Sequence, residues 1–376
     1  MESEKDYHNI AVIPGDLNGI TVTDAVLKLS EAISDKLKKP IKHTTFNYNA
    51  DYFLEQGITE LGEKELNELA KYDQIFLGAI GDPVKIKPGI LELGIILKLR
   101  QSFDQYVNLR PIVLPEGVKS VLSDKTSKDI NFEICRENSE GLYVGKGKVL
   151  NEGTEDETGI QEMICTYKGV KRLTEFAIER ARERKRFEKP KIHFVFKTNV
   201  LTYAAVPWTR VLNEFREKYP DIEFLYMHID NFMMQMVVAP EQFDVVVTEN
   251  MFGDIATDLG AVLQGGIGSA VSGNINPFGT FPSMFEPIHG SVPKRWYEVS
   301  ENGDYIPGTK NLEKINTVKP EAAFLSYSMM LEQIGETEAA KAMKEATLNN
   351  LRDPEYKDKT VTYLTEKASE FIKNFN

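Results

Sequence analysis

Residues 243–263 read FDVVVTENMFGDIATDLGAVL, and this segment indicates both an α/β fold and a candidate site for a divalent cation. The apolar run FDVVVT is typical of a buried strand, Gly253 predicts a turn, and the residues that follow have the pattern of a helix. Asp254 and Asp258 are four residues apart, so that helix places both carboxylates on one face. A buried strand that leads into a helix is the repeating unit of a parallel α/β sheet.

Two carboxylates on one helix face repel each other unless a cation lies between them. A divalent ion with oxygen ligands would relieve that repulsion. The alternative is a helix N-terminus at which acidic residues favour the dipole and Asp254 is the N-cap. Asp230, at the end of the predicted strand EFLYMHID, could supply a third carboxylate, or could be an ordinary turn residue.

The same alternation of strand and helix extends outward in both directions. HNIAVIPGD and DQIFLGAIGDP near the start, and KIHFVFKTNV and IEFLYMHID later, read as strands separated by helical patterns such as ITVTDAVLKLSEAISDKL. We therefore expect a parallel sheet with helices on both faces and ligands beyond the strand carboxyl ends. The Gly-rich, charged segment VGKGKVLNEGTEDETGIQEMICTYKG interrupts this rhythm and predicts an inserted subdomain or arm.

Composition limits the possible function classes. The 376 residues are 41% hydrophobic, which suits one large domain or two interlocked domains, and the formal charge of −12 disfavours nucleic acid and anionic membranes as partners. No stretch approaches the roughly 20 apolar residues of a membrane span. With two cysteines and no apolar run in the first residues, we expect a reducing, cytoplasmic setting. The histidines lack zinc-ligand spacing, so any metal should have oxygen ligands.

Several basic residues lie in apolar or strand-like sequence. Arg100, Arg110 and Arg136 could each bind a carboxylate through two parallel hydrogen bonds, although an arginine considered alone is more often a surface ion-pair partner. Lys197 follows the apolar strand IHFVF, where burial would lower its pKa and make it a proton acceptor.

Glycine-containing loops supply further candidates. Tyr143 lies between glycines in GLYVG, where it could approach a ligand closely or pack at an interface. The loop PGDLNGI is not GxGxxG and is weak as a nucleotide motif. FEPIHGSVP brings Glu286, His289 and Gly290 into a tight polar loop, although a single loop histidine is more often only exposed.

These motifs together resemble the β-decarboxylating dehydrogenases, which act on 3-isopropylmalate, isocitrate, homoisocitrate, tartrate or D-malate. The resemblance extends from about residue 10 to residue 333. Its most specific part is NMFGDIATDLGAVLQGGIGSA, supported by RQSFDQYVNLRP, RENSEGLYVGKG, KTNVL and FPSMFEPIHGS. FDQYVNLRP, GIQEMICTYKGVKR and NINP with FPSMFEP look most like the tartrate and D-malate branch.

The resemblance implies an α/β fold of isocitrate/isopropylmalate dehydrogenase type, distinct from the Rossmann fold. One domain would comprise residues 1–107 and 265–376 and bind the cofactor. The other, residues 108–264, would form the dimer interface and carry a β arm at about 144–168. A homodimer with shared active sites is expected.

The resemblance also assigns roles to residues. Asp254 and Asp258, with Asp230 from the second subunit, would bind Mg²⁺ or Mn²⁺. Lys197 from the second subunit, Tyr143 and Asp230 would be catalytic, with Tyr143 protonating the enol. The substrate would be bound by Arg100, Arg110, Arg136, Ile96 and Leu97, and NAD⁺ or NADP⁺ by Glu286, His289, Gly290, Ser291, Lys294 and Arg295.

Three departures from the family pattern bear on cofactor and substrate. Where the family reads GDGIGPE, near the nicotinamide, residues 15–21 read GDLNGIT. Lys294 and Arg295, followed by an insertion, stand where NAD-using members carry an aspartate, and a cation there suits the 2′-phosphate of NADP⁺. Ile96 and Leu97 fit an apolar substituent or none, and disfavour the third carboxylate of isocitrate.

The expected activity is the metal-dependent oxidative decarboxylation of a small 2-hydroxy dicarboxylic acid, of the 3-isopropylmalate or D-malate/tartrate type. Two alternatives stay open. One is an isocitrate or homoisocitrate dehydrogenase, and the other is a non-catalytic regulatory subunit of a heteromeric dehydrogenase. The altered first loop favours the latter, whereas the full set of acidic, basic and tyrosine side chains argues against it.

Overall fold

A computed structural model of the chain describes residues 6–375. The chain divides into two compact units. The first contains the residues up to Asp104 and those from Gly266 onward, and the second contains Gln105–Gly265. These divisions lie at 104/105 and 265/266, where the sequence suggested 107/108 and 264/265.

The strands are short and are separated along the chain mostly by helices. They are β1 (His8–Gly15), β2 (Ile41–Thr45), β3 (Gln74–Ala79), β4 (Val107–Val113), β5 (Asn131–Glu137), β6 (Gly147–Leu150), β7 (Thr158–Gln161), β8 (Lys191–Phe196), β9 (Glu223–His228), β10 (Val245–Thr248), β11 (Val271–Ile275) and β12 (Ser283–Pro287).

The helices cover the strands and close the chain. They are α1 (Asn18–Ala32), α2 (Ala50–Gln56), α3 (Glu63–Leu69), α4 (Lys98–Ser102), α5 (Tyr167–Arg184), α6 (Ala205–Lys218), α7 (Ile229–Val238), α8 (Asn250–Leu263), α9 (Pro293–Trp296), α10 (Leu312–Ile315), α11 (Glu321–Gln333), α12 (Thr337–Leu351) and α13 (Val361–Lys373). A π-helical segment, Glu92–Leu97, runs directly into α4.

In the first unit the strand order is β2-β1-β3-β12-β11, and only β11 is antiparallel to its neighbour within the unit. Alternate residues of β1 point to opposite faces, as the two-residue period of a strand requires. Ile10 and Val12 pack with α1, α11, α12 and α13, while Ala11 and Ile13 pack with α2, α3 and the π-helical segment. Both faces are therefore covered, which explains why these strands read as continuous apolar runs.

In the second unit the order is β4-β5-β10-β8-β9, with β4 antiparallel to β5 and the other neighbours parallel. Helices α7 and α8 pack on one face of this sheet, where Met236 and Ala256 meet Phe132 and Val246. Because β5, β10 and β8 are parallel, their carboxyl ends lie at one edge. The sequence-based prediction of an α/β fold with parallel strands is confirmed.

Strands β6 and β7 form a separate antiparallel hairpin in the second unit, and all their residues are exposed. This hairpin lies within the arm predicted at about 144–168. No helix within residues 6–375 is long and apolar enough to cross a membrane.

Candidate functional site

Arg136, the second-last residue of β5, is the centre of a charged cluster in the second unit. Its side chain is only 1% exposed. Asn250 Oδ1 accepts hydrogen bonds from Arg136 Nε at 3.0 Å and Nη2 at 2.6 Å, and Asp254 Oδ1 accepts from Nη1 at 2.5 Å. A guanidinium this deeply buried needs such acceptors because an unpaired buried charge is very costly.

Arg110 reaches the same carboxylate from strand β4. It is also buried, and its Nη2 lies 3.4 Å from Asp254 Oδ1 while its Nη1 donates to Thr257 Oγ1. Two of the three predicted carboxylate-binding arginines thus converge on one helix face.

The two predicted metal ligands lie on α8 as expected, four residues apart. Asp254 also accepts a hydrogen bond from Tyr143 Oη at 3.2 Å, and the Arg136 guanidinium lies 5.4 Å from the Tyr143 ring centre. The pKa of Asp258 is raised, first because the surrounding protein removes part of its water and then because Asp254 repels its charge. Arg110 and Arg136 partly offset that effect.

The start of α8 corrects two sequence-based expectations. Helix α8 begins at Asn250, so Gly253 lies in the helix rather than in a turn. The N-cap is Glu249, whose buried carboxylate accepts from the amides of Met251 and Phe252, and not Asp254. Glycine is required at 253 because an added Cβ would lie 2.6 Å from Arg136 Cγ.

Lys197 and Asp230 pair with each other. Lys197 Nζ donates to Asp230 Oδ1 at 2.7 Å, and this hydrogen bond lowers the pKa of Asp230. The expectation of an apolar environment around Lys197 is therefore wrong. Asp230 lies in the first turn of α7. The sequence placed it at the end of a strand, but β9 ends at His228. Within residues 6–375, no group of three or more His, Cys, Asp or Glu side chains could hold a metal ion.

A buried acid adjoins Arg136 in the sequence. Glu137 is 2% exposed, and burial raises its pKa to about 7 even though the Ser139 hydroxyl and the Ser139 and Glu140 amides donate to it. Sequence patterns gave no sign of this group, since a Glu at a strand end is usually solvated.

In the first unit, Arg100 and Glu286 pair with each other. Arg100 Nη2 lies 3.3 Å from Glu286 Oε1, which also accepts from Asn274 Nδ2 at 2.8 Å, and both charged side chains are buried. The predicted selectivity residues lie in the π-helical segment before Arg100. Ile96 packs against the core cluster of β1 and α2, and Leu97 is half-buried.

The loops after β1, β3 and β12 are tied together in this unit. Asp16 accepts from the amides of Ala50 and Gly81, each at 3.0 Å, and burial raises its pKa. Ser291 Oγ donates to the Gly81 carbonyl at 2.5 Å. Leu17 has φ 52° and ψ −119°, a backbone conformation that favours glycine.

The remaining predicted cofactor residues lie on or beside the loop after β12. His289 is half-buried, and burial lowers its pKa, with Arg295 adding to that effect. Gly290 is exposed, as is Lys294, whereas Arg295 is half-buried; both cations lie in the short helix α9.

Asn250 and Thr257, which accept hydrogen bonds from Arg136 and Arg110, were not predicted from the sequence, although their spacing could have indicated them. Together with Asp254 they stand at positions i, i+4 and i+7 of one helix, which share a face. Both are held by arginines from neighbouring strands, and such long-range pairing is invisible in a local pattern.

The charged cluster of Arg110, Arg136, Asp254, Asp258 and Tyr143 has a definite chemical capacity. Two guanidinium groups can hold a dianion, and two carboxylates can hold a divalent cation, so a dicarboxylate with its metal ion would leave the balance of charge unchanged. Oxygen ligands suit a hard cation such as Mg²⁺ or Mn²⁺.

Known proteins resemble this chain over almost its whole length. The family described as isocitrate/isopropylmalate dehydrogenase matches residues 9–374. The 3-isopropylmalate dehydrogenase of Thermobifida fusca (strain YX) is 41% identical over 344 residues, which cover 92% of this chain and 91% of that protein. That of Clavibacter sepedonicus is 40% identical over 347 residues, covering 91% of each. The crystal structure of isocitrate dehydrogenase from Methylococcus capsulatus superposes with a TM-score of 0.80 at 29% identity, covering 97% of this chain and 99% of that one.

Proposed function

Because the chain belongs to the isocitrate/isopropylmalate dehydrogenase family, and is therefore a dehydrogenase, we propose that it oxidatively decarboxylates a small 2-hydroxy dicarboxylic acid. The reaction would require Mg²⁺ or Mn²⁺ and would reduce NAD⁺ or NADP⁺. The observation that carries this proposal is the convergence of buried Arg136 and Arg110 on Asp254, with Tyr143 on the same carboxylate.

Arg110 and Arg136 are proposed to bind the substrate carboxylates. Both are buried and already oriented by Thr257 and Asn250, so little side-chain freedom is lost when an anion binds. Arg100 is given the same role on the family resemblance alone, since in the first unit it is paired with Glu286.

Asp254 and Asp258 are proposed as metal ligands. The raised pKa of Asp258 reflects a repulsion that a divalent cation would relieve. When bound, the metal would lower the pKa of the substrate hydroxyl and stabilise the enolate left by CO₂ departure. The third carboxylate would be Asp230 of a second copy.

Lys197 and Tyr143 are proposed to move protons. Lys197, held by Asp230, would help to remove the proton from the substrate hydroxyl as the hydride leaves for the nicotinamide. Tyr143, held against Asp254, would deliver a proton to the carbon that loses CO₂. Each step needs the group within hydrogen-bond reach of its target, which only a substrate complex would test.

Glu286 at the end of β12, the loop that follows it with His289, Gly290 and Ser291, and helix α9 are proposed to bind the dinucleotide. Lys294 is exposed and Arg295 half-buried, so both could meet a 2′-phosphate. We expect NADP⁺ to be used at least as well as NAD⁺. Comparing kcat/KM for both cofactors in the wild type and in the Lys294→Asp/Arg295→Ala double variant tests this; an NAD⁺ preference untouched by the double change would contradict it.

A compound of the 3-isopropylmalate type is the leading candidate substrate. The half-buried side chains of Ile96 and Leu97 present apolar surface one helical turn before Arg100. The relatives from Thermobifida fusca and Clavibacter sepedonicus are named 3-isopropylmalate dehydrogenase. The alternative is a tartrate or D-malate substrate, which rests on the likeness of FDQYVNLRP to that branch.

A homodimer is proposed, with α7, α8 and the β6-β7 hairpin at its interface. Met234 and Val238 on α7, and Ile255 on α8, are apolar side chains that are more than half exposed. Apolar patches of this kind usually mark protein interfaces. A second copy would cover them and would bring Asp230 to the carboxylate pair of its neighbour.

Purified protein assayed with Mn²⁺, each cofactor and a panel of 2-hydroxy acids tests the proposal directly. We expect Mn²⁺-dependent formation of NADH or NADPH together with CO₂ release, fastest with 3-isopropylmalate. Activity with isocitrate alone would move the chain to that alternative. No turnover with any acid would support the regulatory-subunit alternative instead.

A further inference from the structure

Asn18, the first residue of α1, carries a buried polar atom without a partner. The side chain is 1% exposed, and among residues 6–375 nothing donates a hydrogen bond to its Oδ1. Its backbone amide donates to the Ser291 carbonyl at 3.3 Å, which joins the start of α1 to the loop proposed to bind the cofactor.

A second unpartnered atom lies in that same loop. His289 Nε2 is buried and has no hydrogen-bond partner within the described part of the chain. An unsatisfied buried polar group costs about 1 to 3 kcal/mol. These two atoms lie on segments that a backbone hydrogen bond joins, and a ligand bound there could supply both missing partners.

Hydrogen bonds hold the segment that leads into Asn18 and the loop that contains Ser291. Asp16 is anchored to Ala50 and Gly81, and Ser291 is anchored to Gly81. These hydrogen bonds, with that of the Asn18 backbone amide to Ser291, hold the backbone at the start of α1 in place.

We propose that Asn18 recognises a neutral N–H donor of the dinucleotide, either the carboxamide of the nicotinamide or the amino group of the adenine. This inference rests on the proposed function. The free acceptor requires a donor, which ionised phosphates and carboxylates cannot supply. A carboxamide or an adenine edge also carries an acceptor for the N–H groups of Asn18, so the pair would be bidentate.

The first test separates a ligand-binding role from a structural one. In Asn18→Leu, the melting temperature of the cofactor-free protein should stay the same or rise, because an unsatisfied buried acceptor is removed. The dissociation constant for NADH or NADPH, measured by calorimetry, should increase about three- to ten-fold.

Asn350→Leu is the matched control. Asn350 is also a buried asparagine in the first unit, and its Oδ1 likewise has no hydrogen-bond partner within residues 6–375. It differs from Asn18 because its Nδ2 donates to the Leu364 carbonyl at 2.8 Å and to Glu321 Oε1 at 3.2 Å, and it lies on helix α12 rather than beside the proposed cofactor loop. That substitution should lower the melting temperature and leave the dissociation constant unchanged.

The second test identifies the donor with two cofactor analogues. The acetylpyridine analogue lacks the carboxamide N–H groups, and the hypoxanthine analogue lacks the adenine amino group. One of them should bind wild type about three- to ten-fold more weakly than the parent cofactor does, and this penalty should vanish in Asn18→Leu.

Three outcomes would overturn the inference. A lower melting temperature in Asn18→Leu with an unchanged dissociation constant would make Asn18 structural. Tight cofactor binding in which neither analogue penalty depends on Asn18 would overturn this inference alone. No binding of any nicotinamide dinucleotide by the wild type would overturn the proposed function and this inference with it.

Discussion

The guanidinium of Arg136 in the second unit differs from two buried polar groups of the first unit, those of Asn18 and His289, in how its hydrogen-bonding capacity is met. In the cluster, Arg136 is almost inaccessible to solvent, and Asn250 and Asp254 bind its guanidinium. In the loops, the side-chain oxygen of Asn18 and Nε2 of His289 have no partner within residues 6–375. The first arrangement is assembled before any ligand arrives, whereas the second is incomplete without one.

The difference follows from charge. A buried guanidinium without counter-charge would cost several kcal/mol, so the fold must supply Asp254 and Asn250 in the free protein. A neutral amide without a partner costs about 1 to 3 kcal/mol, which the protein can tolerate until a ligand binds. Substitutions around the buried charge of Arg136 should therefore change the stability of the free protein, whereas substitution of Asn18 should mainly change ligand binding.

Removing the charge of Asp254 should have the largest effect. Asp254→Asn keeps an oxygen that can accept from Arg136 but removes the counter-charge of two buried guanidinium groups, so the melting temperature should fall. It removes a proposed metal ligand, so kcat at limiting Mn²⁺ should fall by at least about 100-fold. Initial rates across a Mn²⁺ titration, with differential scanning calorimetry, would measure both effects.

Asp221→Asn is the control for that change. Asp221 is exposed and lies 3.0 Å from Arg182, and it has no role in the proposed metal or substrate site. Its substitution should therefore leave both the rate and the melting temperature almost unchanged. Unaltered rates in Asp254→Asn at limiting Mn²⁺ would contradict the metal assignment.

The buried acid Glu137 should make stability depend on pH. Its pKa is about 7 in the folded chain against an ordinary 4.5, so between these values the unfolded chain releases a proton that the folded chain keeps. Stability should fall as pH rises through this window and level off above about 7. Glu137→Gln should remove up to about 3 kcal/mol of that fall.

Urea denaturation of the wild type and Glu137→Gln at pH 5 and pH 8 would measure this difference. Glu338→Gln, at an exposed position of α12, is the control and should show the pH dependence of the wild type. Parallel pH profiles for the wild type and Glu137→Gln would show that burial does not perturb this carboxyl.

Packing around Arg136 can be broken without touching any charge. In Gly253→Ala the new methyl would lie 2.6 Å from Arg136 Cγ and 2.7 Å from its Cβ, and neither atom is at the flexible end of the side chain. We expect a net loss of about 1 to 3 kcal/mol in the free energy of unfolding. The cost of the steric clash is thus expected to outweigh the gain of about 1 kcal/mol in helix propensity. Thermal unfolding would measure it.

Gly62→Ala is the comparison for Gly253→Ala. Its added Cβ would meet only the far end of the Glu65 side chain, at 3.1 Å, which can move away. Equal stability changes at the two positions would mean that Arg136 is less tightly held than its contacts indicate.

The sequence predicted the features that repeat along the chain. Alternation of apolar strands with helices gave the α/β fold, and the spacing of Asp254 and Asp258 gave their common helix face. It could not predict contacts between distant residues. The pairing of Arg100 with Glu286, and of Lys197 with Asp230, depends on which strand and helix ends the fold brings together.

Helix starts were also missed, for a physical reason. Glu249 caps α8 with a long side chain that is not among the residues usually preferred at that position, so the start of α8 was misplaced. The loop at residues 15–21 was recognised as a departure from the family pattern. Its consequence, a leucine in a conformation that glycine prefers, appears only in the backbone angles.

The smallest expected effect concerns that leucine. Leu17 is buried, so both Leu17→Ala and Leu17→Gly should lose stability through the side chain removed. Alanine keeps a strain of about 1 to 3 kcal/mol at φ 52° that glycine relieves, whereas glycine costs about 0.5 to 1 kcal/mol in flexibility. Leu17→Gly should therefore be the more stable of the two by about 1 kcal/mol. Leu29, buried within α1, gives the reference pair, in which alanine should be more stable than glycine by about 1 kcal/mol. If urea denaturation gives the same order at both positions, the backbone at Leu17 is not strained, and the contrast between the region around Asn18 and the fully hydrogen-bonded guanidinium of Arg136 loses one of its supports.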